Sequence, residues 1–267
     1  MYDPRFDIID VKAGVEEDNE RHAAEVRAYC RENHIYLINL MASPGAGKTT
    51  VLCRLIDALK DAYSIGVIEA DVDADVDART VSEHGAKAVQ LHTGGSCHMD
   101  AGMTLAGLKA LGPDHPEVII LENIGNLVCP AEFDVGAALK LMILSVPEGD
   151  DKPLKYPLMF TVSECLIVNK IDTAQIFDFD LGRCRGNIRP LNPDMPVFPV
   201  SGKTGEGMAP FIAWLKDRIG TAKTQGPCCP EQAEGTCCTE QTEGACCLEQ
   251  AEGTCCTARP EASGGPA

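Results

Sequence analysis

One stretch constrains this chain more than any other. Ala42-Ser43-Pro44-Gly45-Ala46-Gly47-Lys48-Thr49-Thr50 follows the apolar run Tyr36-Leu37-Ile38-Asn39-Leu40-Met41 and precedes Val51-Leu52-Cys53-Arg54-Leu55-Ile56. The first run reads as a buried strand and the second as an amphipathic helix, so the glycines form a turn between them. A glycine-rich turn in that setting is a phosphate-binding loop: backbone N–H groups approach phosphate oxygens, and the helix N-terminus favours negative charge. Gly45, Ala46, Gly47, Lys48, Thr49 and Thr50 are its nucleotide contacts. Lys48 reaches toward the outer phosphates, and the Thr49 hydroxyl suits magnesium. The first glycine of the usual pattern is replaced by Ala42.

The base is read further along. Cys165-Leu166-Ile167-Val168-Asn169-Lys170-Ile171-Asp172 is a buried strand ending in Asn-Lys-x-Asp. A carboxylate accepts from both N1–H and the exocyclic amine of guanine, whereas adenine offers no such donor pair. Asp172 is therefore the specificity residue. Asn169 ties the loop together, Lys170 lays its stem along the base, and Ser201, Gly202 and Lys203 after Val197-Phe198-Pro199-Val200 complete the pocket. GTP and GDP are the implied ligands.

Helical content from Val15 to Asn33 precedes alternating strands and helices. Strands are expected at 35–41, 65–70, 88–91, 118–122, 139–146, 166–169 and 197–200, with helices around 49–62, 74–84, 99–111 and 207–219. Continuous apolar strands separated by helices imply an α/β fold, with a mostly parallel sheet covered on both faces and the ligand at the strands' carboxyl ends. The organisation reads as an N-terminal helical extension (1–34), a nucleotide-binding domain (35–220) and a tail (221–267). At 267 residues a second full domain does not fit beside these.

A formal charge of −17 argues against nucleic acid or an anionic membrane as the main partner. No run approaches membrane-spanning length, and Met1-Tyr2-Asp3-Pro4-Arg5-Phe6-Asp7 is not a signal peptide, which predicts a cytoplasmic protein. There the fourteen cysteines are expected to be mostly reduced, favouring metal or redox roles over disulfides. Eight form pairs of period nine in the tail: Cys228-Cys229, Cys237-Cys238, Cys246-Cys247 and Cys255-Cys256. A helix would not align them, because nine residues make about 2.5 turns. Set in Glu, Gln, Gly and Thr, the segment is expected to be disordered and to offer thiols to a soft or borderline metal.

Two further segments carry switch chemistry. Val118-Ile119-Ile120-Leu121-Glu122-Asn123-Ile124-Gly125 has the strand-then-acid-x-x-Gly shape of a guanine-nucleotide switch, with Glu122 where aspartate is usual. Asp71 ends the second strand and Asp77 opens the next helix, with Asp73 and Asp75 between them. Thr49, Asp71 and Glu122 form the expected magnesium set, and Lys48, Asp71, Asp77 and Glu122 the catalytic set. Cys97-His98 follows a glycine turn, and Cys129 lies four residues beyond Gly125. Two thiols and an imidazole are three ligands for a borderline divalent ion, with a position left for solvent or for a second copy of the site across a twofold dimer. Cys53 and Cys165 read equally well as small buried hydrophobes.

Across roughly residues 15–220 the chain resembles the HypB family, the nickel-inserting GTPases of hydrogenase maturation. The likeness rests on Asn39 to Thr50, Cys97-His98-Met99-Asp100-Ala101, Glu122 to Pro130, Ser145 to Pro157 and Asn169-Lys170-Ile171-Asp172. The resemblance implies a GTP-dependent homodimer with nickel or zinc at Cys97, His98 and Cys129. It implies delivery to the large subunit of a [NiFe]-hydrogenase with a small zinc-binding accessory protein. It also implies that Lys155 reaches across the dimer to the neighbouring nucleotide. The first residues carry neither the cysteine-rich motif nor the histidine run of many relatives. The urease-maturation GTPase is a related alternative, but its metal motif resembles Cys-Pro-His, whereas here Cys97-His98 and Cys129-Pro130 are separate. A storage protein built around the thiol tail predicts several metals per chain, held without regard to nucleotide, and a regulatory GTPase with structural zinc predicts no nickel dependence.

Overall fold

The computed structural model describes residues 11–71 and 76–224. The apolar runs form seven strands: β1 (Tyr36–Ala42), β2 (Ile65–Asp71), β3 (Lys87–His92), β4 (Val118–Glu122), β5 (Leu139–Ser145), β6 (Cys165–Asn169) and β7 (Val197–Pro199). All pair in parallel, in the order β3-β2-β4-β1-β5-β6-β7. β1 lies between β4 and β5, so the chain reverses direction across the sheet at the strand carrying the glycine loop. A sheet of this kind binds its ligand in the crevice at such a point.

The helices are α1 (Val11–Glu32), α2 (Lys48–Leu59), α3 (Val76–Glu83), α4 (Ala101–Ala110), α5 (Cys129–Glu132), α6 (Lys152–Lys155), α7 (Pro157–Val162), α8 (Leu181–Ile188) and α9 (Met208–Thr224). Successive strand residues face opposite ways, and β1 divides its side chains accordingly. Ile38 and Leu40 pack with Leu52, Leu55 and Ile56 of α2 and with Phe211 and Leu215 of α9. Leu37 packs with Ala23 and Val26 of α1 and Leu108 of α4, while Met41 joins Phe160 of α7 and Ile188 of α8. With both faces covered, the central strands β1, β4, β5 and β6 are buried along nearly their whole length and are mostly apolar. Among the described residues no helix is long and apolar enough to cross a membrane.

Two expectations shift. α9 continues past the helix end expected at residue 219: Gly220 lies within it, and Lys223 beyond is anchored by Glu117 at 2.6 Å. The short α5, α6 and α7 were not expected, and neither was α8, whose LGRCRGNI carries two glycines and a weak apolar period. Its start is fixed by Asp180, whose carboxylate accepts from Arg183 N. Residues 72–75, with Asp73 and Asp75, lie outside the described residues, as does the tail from 225 with its eight cysteines.

Candidate nucleotide and metal site

Ala42 costs the loop nothing, because it is the buried last residue of β1 in strand conformation rather than part of the turn. The bend falls on Gly45 and Gly47, with φ of 73° and 92°. Gly47 is doubly required: beyond its left-handed backbone, a Cβ there would lie 2.6 Å from Asn169 Nδ2. Lys48 and Thr49 then open α2, so their side chains and N–H groups stand where phosphates would be cradled.

Asn169 ties the pocket together as its place in the tetrad implied. Its Nδ2 donates to the Ala46 carbonyl at 2.9 Å, and its Oδ1 accepts from Gly202 N at 2.9 Å. One buried amide thus joins the phosphate loop, β6 and the Ser201-Gly202-Lys203 loop. Ser201 Oγ donates to Asp172 Oδ1 at 2.6 Å and fixes the carboxylate at the pocket's exposed rim. Lys170 turns back over the loop and places its ammonium 2.6 Å from the Gly45 carbonyl. Arg54 had not stood out in the sequence, yet it donates to the carbonyls of Gly202 and Lys203 at 3.0 and 2.9 Å. Thr50 packs under the same loop, its methyl lying 3.2 Å from where a Cβ on Gly202 would stand.

At the phosphate end, Thr49 Oγ1 donates to Glu122 Oε1 at 3.2 Å. Glu122 is 2% exposed and its register partner on β2, Glu69, is 3% exposed. Two buried acids on neighbouring strand ends, one beside a threonine hydroxyl, are an oxygen donor set that fits magnesium. Glu69 was passed over for Asp71, the last residue of β2, because strand pairing with β4 is not visible in the sequence. Asp71 ends β2 and Asp77 lies in α3, but their side chains fall outside what is described.

The metal ligands meet from two arms. Cys97 and His98 precede α4, Cys129 begins α5, and the three ligand atoms lie within 4.8 Å of one another. Cys97 Sγ is 3.0 Å from Cys129 Sγ and 3.7 Å from His98 Nδ1. A tetrahedral ion sets such ligands about 3.3–3.8 Å apart, so the group needs little movement to close on one. The hydrogen bond to Cys129 holds the Cys97 thiol above its ordinary pKa. Burial pushes His98 down, with the Phe133 ring stacked on it at 4.0 Å, which favours the neutral imidazole that binds metal. Cys30, Cys53, Cys165 and Cys184 are instead buried in the core. Burial raises all three thiols of Cys30, Cys165 and Cys184, Cys30 to about 12 and Cys184 to about 11, so these are packing residues.

Two asparagines join this group to the nucleotide loop, and neither was given a role from the sequence. Asn123 directly follows Glu122 and is fully buried. Its Oδ1 accepts from Met99 N at 3.1 Å and Ile124 N at 2.9 Å, and its Nδ2 donates to Asn39 Oδ1 on β1 at 3.2 Å. Asn126 donates its backbone N–H to the Ala42 carbonyl and its side chain to the Cys97 carbonyl at 3.2 Å. Lys155 is exposed and pairs with Asp151 at 2.5 Å. The segment before it is anchored: Ser145 and Glu148 form a capping box, and Arg183 grips Asp150 at 2.6 Å. That grip holds the Asp150 carboxyl below its ordinary pKa.

The fold and these two sites define a P-loop nucleotide-binding protein with a dithiol–imidazole metal group beside its switch segment. Residues 36–199 match the family described as CobW/HypB/UreG, nucleotide-binding domain. The hydrogenase maturation factor HypB of Rhizobium leguminosarum bv. viciae is 44% identical over 209 residues, 78% of this chain and 70% of that one. A crystal structure of HypB from Helicobacter pylori in complex with nickel superposes with a TM-score of 0.72 at 35% identity, covering 77% of this chain and 97% of that one. HypB from Archaeoglobus fulgidus gives 0.71 at 32% identity, covering 76% and 99%. This chain belongs to the HypB family, the nucleotide-binding GTPases of hydrogenase and urease maturation.

Proposed function

We propose that this protein is a cytoplasmic, GTP-hydrolysing nickel metallochaperone that supplies the large subunit of a [NiFe]-hydrogenase. Nickel is its cargo, carried by Cys97, His98 and Cys129, and the same ligands accept zinc. Lys48 binds the outer phosphates and stabilises the charge that moves onto the leaving group; Asp172 selects guanine. Thr49 and Glu122, with Asp71, would hold magnesium, which supplies charge neutralisation to the β- and γ-phosphates. Asp77 is assigned to the attacking water. The working unit is a GTP-dependent homodimer in which Lys155 reaches the neighbour's nucleotide, and a small zinc-binding accessory protein assists transfer.

The observation that carries this reading is the pair of ties at Asn123 and Asn126. Residues adjoining the carboxylate beside Thr49 also hold the backbone of Cys97 and Met99. A third phosphate that moved the 122–126 segment would shift two metal ligands with it, and linkage then requires nickel to alter nucleotide affinity by the same factor. The test is nickel affinity at Cys97 and Cys129, read by protection from iodoacetamide and peptide mapping, with GDP and with a non-hydrolysable GTP analogue. A difference of about fivefold or more, the lower end of ordinary coupling, is the expected result. Equal affinities remove the release mechanism. Lys48→Ala is expected to abolish hydrolysis, and turnover retained in that variant refutes the phosphate-loop assignment.

A further inference from the structure

We infer that Asn19, on the N-terminal helix, is the positioning residue that holds the two arms of the metal group in register. It rests on the metal reading of Cys97, His98 and Cys129, and adds a helix to which neither motif belongs. Asn19 is 8% exposed and spends both ends of its amide on main chain. Its Oδ1 accepts from Ala101 N at 3.0 Å, at the start of α4 and three residues after His98. Its Nδ2 donates to the Asp134 carbonyl at 2.9 Å, five residues after Cys129 and next to Phe133, whose ring covers His98. One neutral side chain thus closes a loop that runs from Cys97-His98 through Asn19 to Phe133 and Cys129.

The surroundings oblige α1 to sit this close. Gly136 adopts φ 74°, and a Cβ there would stand 2.7 Å from the Ala23 carbonyl and 2.8 Å from Val26. Arg27 adds a bond to the Asp134 carboxylate at 2.8 Å, and the other carboxylate oxygen of Asp134 accepts from Gly136 N at 3.0 Å. The 134–136 segment is therefore pinned to α1, and Asn19 transfers that restraint to the opposite arm. An amide suits the task, because a charged side chain in the same buried place would carry a large desolvation cost.

The test uses the full chain with Asn19→Ala and Asn19→Asp. The second variant keeps the acceptor for Ala101 N but sets a carboxylate oxygen against the Asp134 carbonyl. Thiol proximity is read in glutathione redox buffers: oxidised glutathione accepts two electrons, the Cys97 and Cys129 thiols lose two protons and form one S–S bond, and two reduced glutathione molecules leave. Peptide mapping reports that bond separately from the other cysteines. Both variants are expected to need about tenfold more oxidising buffer to form it, as for one or two net hydrogen bonds lost. They are also expected to need about tenfold more nickel to protect both thiols from alkylation, with GDP affinity kept within about twofold. An unchanged thiol equilibrium overturns the inference, as does a GDP affinity that falls in the same proportion. If nickel protects no form of the protein while the thiol equilibrium still shifts, the positioning role stands and the nickel reading falls.

Discussion

Asn169→Ala is the sharpest test of how the guanine pocket is assembled. The wild-type amide is 2% exposed and makes two bonds of 2.9 Å, to the Ala46 carbonyl and from Gly202 N, both buried residues. Truncation strands both main-chain groups. A buried polar group deprived of its partner costs about 1–3 kcal/mol, so the pair costs about 2–4 kcal/mol once some relaxation toward water is allowed. For a domain of this size that lowers the melting temperature by about 4–16 °C. Nucleotide must then reassemble two loops no longer joined, and if about 2 kcal/mol of the loss falls on binding, GDP affinity drops about 30-fold. The assays are thermal unfolding of the nucleotide-free protein and titration with GDP. Gly47→Ala adds an internal check. Its Cβ would collide with Asn169 Nδ2, so its penalty is expected to shrink in the Asn169→Ala background, while the part due to positive φ remains. GDP affinity within about twofold of wild type, with stability reduced, would show Asn169 to be a packing residue only and refute the reasoning.

Three other outcomes are expected. Asp172→Asn weakens GTP binding and improves binding of xanthosine triphosphate, because an amide donates to the carbonyl that replaces the exocyclic amine; unchanged GTP affinity in competition titrations places the base elsewhere. The Asp150 carboxyl, held low by Arg183, contributes stability that is present above the ordinary carboxylate pKa and is lost as pH falls through the folded value. Between about pH 5 and 3 the wild type is therefore expected to lose more denaturation midpoint than Asp150→Asn, and parallel losses count against the Asp150–Arg183 grip. Truncation after Thr224, which keeps the Lys223–Glu117 bond, is expected to leave GTP hydrolysis nearly intact while lowering metal bound per chain; equal metal in both forms under reducing conditions denies the tail a metal role.

What was legible in the chain is what local spacing can encode. The strand–glycine turn–helix at 36–59 and the Asn-Lys-x-Asp end of β6 state their geometry within a dozen residues, and all seven strands fell within two residues of expectation. The metal group was legible too, because Cys97-His98 and Cys129 each follow a recognisable turn. Positions whose partners are remote were not. Glu69 faces Glu122 only because β2 and β4 are neighbours in register, and Arg54 meets Gly202 across 148 residues of sequence. α8 escaped because its glycines mask a short helix that depends on its cap and on Cys184 and Ile188 packing into the core.

Asn19 and Asn123, which escaped the sequence, share a chemistry with Asn169, which the tetrad marked. Asn19, Asn123 and Asn169 are each nearly or fully buried, and each spends its amide on segments far apart in sequence. In a sequence Asn19 is one polar residue among the charges of a helix and Asn123 one that follows a strand, and neither position announces a remote partner. In the fold only an amide offers a donor and an acceptor side by side without a charge to desolvate. Asn169 binds the phosphate loop to the base loop, Asn123 binds the switch to the metal arm and β1, and Asn19 binds that arm to its partner through α1. Replacing any of them by a carboxylate removes a donor from a joint built from both, so the three Asn→Asp variants separate what each joint transmits. At 169 the nucleotide affinity moves, at 123 the coupling between nucleotide and nickel, and at 19 the nickel affinity alone.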